Sequence, residues 1–305
     1  MHTFDRPPAA MPVGTAEAPP RAILDARRRA FRALHSSGCF VIPNPWDVGS
    51  ARYLQQLGFP ALATTSAGFA FSQGLPDSDE AVSRDRSLSY IADVVAAVDL
   101  PVSADFASGY GSEPQAVAES VTRCVATGVA GLSIEDATGD LSSPLYDLAT
   151  AIARVRAARD AIDRSGADVL LTARAECYHV GHATPFPETV RRLQAYAAAG
   201  ADVLFAPGVQ APDEIQALVD AVGPKPFNLL VVRDIGLRVD DIAALGVRRI
   251  SVGGALALAA WTGFMRAAET LKSEGSFAGL ASLVSYPTIN TLFETSRRER
   301  AARTS

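Results

Sequence analysis

One phrase recurs along the chain: a helical stretch, a glycine, then a short apolar run. It reads Leu57-Gly58-Phe59-Pro60-Ala61-Leu62 and returns as Thr127-Gly128-Val129-Ala130-Gly131-Leu132. It returns again as Ser165-Gly166-Ala167-Asp168-Val169-Leu170, Ala199-Gly200-Ala201-Asp202-Val203-Leu204 and Leu245-Gly246-Val247-Arg248-Arg249-Ile250. A glycine just past a helix adopts the left-handed conformation at little steric cost and turns the chain. The runs that follow are rich in Val, Leu and Ile and do not alternate with polar residues. Such runs suit strands buried on both faces of a parallel sheet.

Completing the pattern predicts strands near 39–43, 61–64, 102–105, 130–134, 168–172, 202–205, 227–230 and 248–251, with helices between them. About eight strand–helix units in roughly 250 residues is the size of a (β/α)8 TIM-type barrel. An open doubly wound sheet is the alternative. No G-x-G-x-x-G follows the first strand and the units do not divide into halves, so the barrel is preferred. Ahead of it, residues 22–34 predict an Arg-rich amphipathic helix. Residues 1–21, with Pro7, Pro8, Pro12, Pro19 and Pro20, read as a flexible tail, which leaves 22–305 as a single domain. Behind the barrel come a long helix, 255–273, and helical pieces near 277–283 and 287–294. These carry Trp261, Phe264, Met265, Leu271, Phe277 and Leu280, more apolar surface than a closed barrel needs. The expectation is a homodimer or homotetramer built on these helices.

Composition narrows the class. The chain has 305 residues, 48% hydrophobic and 20% charged, which supplies a core and excludes a disordered chain. Lys+Arg 28 against Asp+Glu 33 leaves a net charge of -5 with no basic run, so no nucleic-acid partner is expected. No apolar stretch reaches membrane-spanning length, the start does not read as a signal peptide, and Cys39, Cys124 and Cys177 are far apart. The expectation is a cytoplasmic protein with no membrane partner.

In a barrel of this kind chemistry sits at the C-terminal strand ends. Those ends carry Thr65-Ser66-Ala67, Asp105, Glu135-Asp136, Arg174 with Glu176, and Asn228, while Asp77 follows on the second loop. Asp77, Asp105, Glu135 and Asp136 are expected to converge on one mouth, with Arg174 opposite. Several carboxylates in one desolvated cleft repel unless a cation lies among them, and all-oxygen donors favour Mg2+ or Mn2+. The opposing Arg can grip a substrate carboxylate. Each carboxylate could instead cap the helix after its strand. Cys177, His179 and His182 form C-x-H-x-x-H, read as a polar loop in preference to a zinc site because no fourth ligand is evident. Gly253-Gly254 reads as tight strand–helix packing in preference to a phosphate cradle. Lys225 and Lys272 are the only lysines and neither follows a strand, which argues against a Schiff-base mechanism.

At these residues the chain resembles the isocitrate lyase/phosphoenolpyruvate mutase superfamily. The likeness runs from about Ala30 to Phe293 and rests on NPWDVGSARYLQQLGFPALATTSAGFA (44–70), PVSADFASGYG (101–111), GVAGLSIED (128–136) and LLTARAE (170–176). The resemblance implies a (β/α)8 barrel whose terminal helix is exchanged between subunits, Mg2+, and a 2-oxo acid or its enolate. It implies Asp105 as first metal aspartate, with Asp77 and Glu135 joining through waters. It implies Arg174 beside Glu176 as the substrate-gripping pair, and Thr65-Ser66-Ala67 as the turn that receives a substrate carboxylate. The second acidic position of D-x-[DE]-x-G-[YF]-G falls on Ala107, a departure.

Superfamily lyases that release succinate carry a K-[KR]-C-G-H loop after the fourth strand, and a Pro-Glu after the sixth. Here the loop reads Asp136-Ala137-Thr138-Gly139-Asp140-Leu141, and Ala206-Pro207 follows the sixth strand. The acidic-Lys-Pro-Lys-Asn loop of phosphonate-handling members is absent as well. The expected function is a Mg2+-dependent lyase of a small 2-oxo or 2-hydroxy carboxylate, working through a metal-stabilised enolate, and not an isocitrate or 2-methylisocitrate lyase. Asp136, Glu176 or a loop residue would supply the proton. Phosphoenolpyruvate-type P–C chemistry, as mutase or hydrolase, and a metabolite-binding barrel without catalysis are the alternatives.

Overall fold

A computed structural model of the chain describes residues 19–304. The tail expected over 1–21 lies outside them up to residue 18, and Arg21 already opens helix α1 (Arg21–Leu34). Eight strands follow where the apolar runs predict them: β1 (Phe40–Ile42), β2 (Leu62–Ala63), β3 (Val102–Asp105) and β4 (Gly131–Glu135), then β5 (Leu170–Arg174), β6 (Val203–Phe205), β7 (Phe227–Leu230) and β8 (Arg249–Ser251). All pairings are parallel and run in chain order, and β1 closes back onto β8. The β1–β2 seam has no ladder among the described residues, but the Ala63 N–H donates to the Pro43 carbonyl near it at 3.1 Å. The result is a nearly closed (β/α)8 barrel.

The helices between strands are α2 (Val48–Gln56), α3 (Ser66–Ser72), α4 (Arg84–Ala97), α5 (Pro114–Ala126), α6 (Leu148–Ser165), α7 (Pro185–Ala198), α8 (Pro212–Val222) and α9 (Val239–Ala244). Proline opens α5, α7 and α8, where its missing N–H would have had no helical acceptor. After the barrel come α10 (Ala255–Glu274) and α11 (Tyr286–Thr304). The helical piece expected at 277–283 is one 3-10 turn, Ala278–Leu280, because Gly275 in the left-handed conformation ends α10 just before it. No described helix is long and apolar enough to cross a membrane.

Strand alternation divides the barrel into two environments. Outward residues such as Ala104, Phe106, Ile134 and Ala173 pack under the helices. Inward residues form an apolar layer against α1, with Phe40, Ile42, Leu170 and Val203, and beside it a buried polar set: Ser103, Ser133, Thr172, Asn228, Arg249 and Ser251. Arg249 on β8 donates to Asn228 at 2.7 Å and reaches across the lumen to Thr172 on β5 at 3.1 Å. Burial pulls the Arg249 guanidinium down to about 9. The N-terminal end is stoppered by α1, whose Phe31 is fully buried. Gly131 is required there: a Cβ at that position would lie 2.7 Å from the Phe31 ring. The lumen is therefore closed at its N-terminal end.

Candidate active site

Strand register builds the site. Glu135 and Arg174 are direct partners on β4 and β5, and Arg174 is the partner of Phe205 on β6. Asp105 ends β3 on the same inward face. Arg174 Nη1 lies 2.9 Å from Asp105 Oδ1 and 3.1 Å from Glu135 Oε2, and its Nε donates to Glu176 Oε1 at 2.8 Å. The guanidinium carbon sits 5.1 Å from the centre of the Phe205 ring. Arg174 Nη2 has no partner among the described residues. Asp105 Oδ2 accepts from the Ser66 N–H at 3.0 Å and the Ser66 hydroxyl at 2.9 Å.

Thr65 caps α3, its hydroxyl accepting from the Gly68 N–H at 3.1 Å, while its own N–H donates to the Tyr90 hydroxyl. Ser66 is spent on Asp105. Of the Thr65-Ser66-Ala67 turn, the Ala67 N–H is the donor with no partner among the described residues.

The electrostatics follow from this crowding. Burial pushes the Glu135 carboxyl up to about 8, although Arg174 opposes the shift. For Arg174 burial works against charge, but Glu176, Glu135 and Asp105 outweigh it and hold the guanidinium firmly protonated. For Glu176 burial opposes ionisation, and Arg174 and His179 outweigh it, keeping the carboxyl below the usual range. Asp77, on the rim between α3 and α4, is raised by partial burial and by the charge of Asp105.

Two residues reach the cluster that the sequence did not single out for it. Asp79 accepts a short hydrogen bond from the Ser108 hydroxyl, next to the departure at Ala107. Burial raises its carboxyl, and Asp105 adds to the shift. His179 Nδ1 lies 3.3 Å from Glu176 Oε2, and its ring is 70% exposed. The acidic pattern around Asp77-Ser78-Asp79 and the Arg174-x-Glu176-x-x-His179 spacing were the available signals.

Two expected members are placed elsewhere. Asp136 does not join the mouth. One residue past Glu135 it points to the helix side, buried, accepting from Tyr196 at 2.5 Å, Arg192 at 3.0 Å and the Glu176 N–H at 2.8 Å. It positions Glu176 from behind. Asn228 is fully buried in the lumen, its amide donating to Ser251 and accepting from Arg249. Its side chain is committed to the barrel interior. Cys177, His179 and His182 do not assemble into a ligand set: Cys177 is buried, and His182 Nδ1 accepts from the Thr184 N–H. The Gly253 N–H donates to Asn44 Oδ1, so it is closed to a phosphate.

The loop after β4 folds on itself. Ala137 pairs with Leu145 in an antiparallel bridge, and the Thr138 hydroxyl donates to the Ser143 carbonyl at 2.6 Å. Asp140 accepts from Ser142 and is fully exposed at the tip.

Residues 31–272 match the family model described as phosphoenolpyruvate phosphomutase. The chain belongs to that family, within the phosphoenolpyruvate mutase/isocitrate lyase superfamily. An oxaloacetate decarboxylase of Pseudomonas entomophila (strain L48) is 30% identical over 257 residues, covering 79% of this chain and 83% of the relative. A solved Burkholderia cenocepacia J2315 protein, assigned only as a lyase/mutase, is 47% identical with a TM-score of 0.85, covering 89% of this chain and 97% of that one. An oxaloacetate acetylhydrolase solved with its product oxalate is 25% identical with a TM-score of 0.79, covering 92% and 97% of the two chains. This family membership makes the chain an enzyme of the C–C lyase/mutase type.

Metal fit can be judged from the donor set. Asp77, Asp79, Asp105 and Glu135 are hard oxygen donors. Burial raises the carboxyls of Asp77, Asp79 and Glu135, and Asp105 adds to each shift. The four acids outnumber the guanidiniums that oppose it, Arg174 at Asp77 and Glu135 and Arg154 at Asp79. That surplus of negative charge suits a hard divalent ion. Among the described residues no three such side chains already stand in ligand geometry; Arg174 draws Asp105 and Glu135 to itself instead.

Proposed function

We propose that this protein is a Mg2+- or Mn2+-dependent lyase that breaks a C–C bond in a small 2-oxo carboxylate, with decarboxylation of a 2-oxo dicarboxylate of the oxaloacetate class as its reaction. One observation carries the reading. The carboxylate–arginine cluster stands at the strand ends, while the loop after β4 is closed into a hairpin and offers the mouth no acid. Carbon dioxide leaves as a neutral molecule and needs no proton as the bond breaks. A succinate leaving group does. The similarity to oxaloacetate decarboxylases points the same way.

Asp105, with Asp77 and Glu135, would hold the ion, which when bound would stabilise the negative charge developing on the enolate oxygen. The chain's own residues do the rest. Arg174 Nη2 and the Ala67 N–H are the open donors for a substrate carboxylate. Glu176 fixes Arg174 through Nε, and Asp136, with Arg192 and Tyr196 behind it, fixes Glu176. Phe205 covers one face of the guanidinium and keeps water from it.

The test joins binding to turnover. Calorimetry should show Mn2+ binding to the wild type, strengthened by oxalate, and loss of that binding in Asp105→Ala. A coupled assay should show pyruvate release from oxaloacetate by the wild type, lowered roughly 10²–10³-fold in the variant. Equal metal binding by both proteins would remove Asp105 from the site. Phosphonate processing without pyruvate release would favour P–C chemistry, and tight oxalate binding without turnover a binding barrel.

We also propose that the molecule works as a homodimer or homotetramer. On α10 and the segment after it Phe264, Met265, Phe277, Leu283 and Tyr286 are exposed, and Ala257 is the one residue of α10 that is buried. A patch of this kind is characteristic of an interface. Light scattering at micromolar concentration should give two or four times the chain mass; a stable folded monomer would contradict the proposal.

A further inference from the structure

We propose that His179 is the acid that delivers the proton to the enolate carbon, with Glu176 holding its ring for the task. The inference rests on the decarboxylation reading above for the identity of its substrate.

That reaction leaves one need unmet. Once the C–C bond breaks, its electron pair resides in an enolate, and the product forms only when a C–H bond is made. Of the groups at the mouth, Asp105, Asp77 and Glu135 are set aside for the ion, and Asp79 accepts from Ser108. Asp136 is turned away and committed, and Glu176 is held by Arg174 and kept ionised. Thr138 and Asp140 are tied up in the β4–α6 hairpin. Cys177 is buried and its thiol is pushed up to about 11 by burial.

His179 is placed differently. It stands on the loop after β5, five residues past Arg174. Its Nδ1 lies 3.3 Å from Glu176 Oε2, and the other oxygen of that carboxylate is held by Arg174 Nε at 2.8 Å. Glu176 is itself nearly inaccessible and is anchored through its N–H by Asp136. Arg174, Glu176 and His179 therefore form one connected chain, with the substrate-gripping group at one end and an imidazole at the other. A carboxylate accepting from Nδ1–H fixes the tautomer and leaves Nε2 to exchange a proton with a ligand. The ring is open to solvent, so it can be reprotonated between turnovers. The charged groups facing it are Glu176 on its own loop, Arg174 on β5 and Asp77 on the loop before α4. The hydrogen bond to Glu176 favours the imidazolium.

The step balances. The Nε2–H bond breaks, the proton goes to the enolate carbon, a C–H bond forms, and the ring regains its proton from water. In reverse, neutral His179 removes a proton from the methyl group of pyruvate, which gives a readout that needs no decarboxylation.

The experiment follows deuterium entry into pyruvate by proton NMR in D2O with Mg2+, beside CO2 release from oxaloacetate. Wild type should exchange the methyl protons. His179→Asn should lose roughly 10²-fold or more of that exchange, the usual range for a positioned acid or base, while CO2 release falls far less. Glu176→Gln should lower exchange too, since it loosens the ring. His179 is on an exposed loop, and circular dichroism of the variant should match the wild type. Exchange by His179→Asn within threefold of wild type would overturn the assignment. So would a parallel fall of exchange and CO2 release by the same factor, which is what a structural role would give. Exchange by the wild type without CO2 release would sink the decarboxylation reading and leave His179 in place; a wild type that does neither would sink both.

Discussion

Arg174→Met is expected to destabilise the fold by about 3–5 kcal/mol, the usual cost of leaving buried charge without its partner, and to lower kcat/KM roughly 10²–10³-fold or more. The side chain is 13% exposed and lies against three carboxylates, on Asp105, Glu135 and Glu176. Methionine keeps the volume and the contact with Phe205 but removes the charge. Glu176, with its side chain 3% exposed, is left among the described residues with His179 as its ion-pair partner. The expected loss in activity has a second origin, because Nη2 is the donor proposed for the substrate carboxylate and methionine has none. Urea melts of wild type and variant, with steady-state kinetics on oxaloacetate, separate the two effects. A variant with wild-type stability would show that the guanidinium does not neutralise the cluster. Arg174→Lys should recover part of the stability and little of the activity, since a single ammonium cannot bridge three carboxylates and still present a free donor in the same plane.

The second large effect is an absence of turnover. Isocitrate and 2-methylisocitrate should not be cleaved at a useful rate. Both would release succinate as a carbanion-like group that must be protonated as it leaves, and a positioned acid contributes roughly 10²–10⁴-fold to such a step. The loop after β4 holds no Cys, Lys or His, and its hydroxyl and carboxylate are engaged with their own hairpin. Cys124 is fully buried within α5, where burial pushes its thiol far up. His179 stands on the loop after β5, the neighbour of β4, and is not part of the loop whose acid is missing. Ala206-Pro207 after β6 offers no polar side chain to a larger substrate. A coupled assay of glyoxylate or pyruvate release with Mg2+ at neutral pH decides the matter. Turnover above about 1 s⁻¹, within the ordinary enzymatic range, would show that another residue supplies the acid.

The barrel itself is written in the chain. Glycine after helix, then a short unbroken apolar run, is a local signal, since it reflects one turn conformation and one burial state. All eight strands fall within or beside the predicted runs. Asp105, Glu135, Arg174 and Glu176 were legible for a related reason: a parallel barrel sends every strand end to one face. What strand position cannot tell is which way a side chain points after the last ladder bond. Glu135 and Asp136 are neighbours in sequence, yet alternation turns one to the mouth and the other to α7, where Arg192 and Tyr196 claim it. Asn228 sits near a strand end but one layer too deep, where Arg249 from β8 takes its amide oxygen. Asp79 and His179 come from loops, whose paths depend on contacts far along the chain: Ser108 draws in the first and Glu176 the second. The periodic pattern of the sequence determined the scaffold and the face that carries chemistry. The tertiary structure alone decided which polar groups on that face are already paired and which remain open, because hydrogen-bond pairing is settled between residues that only folding brings together.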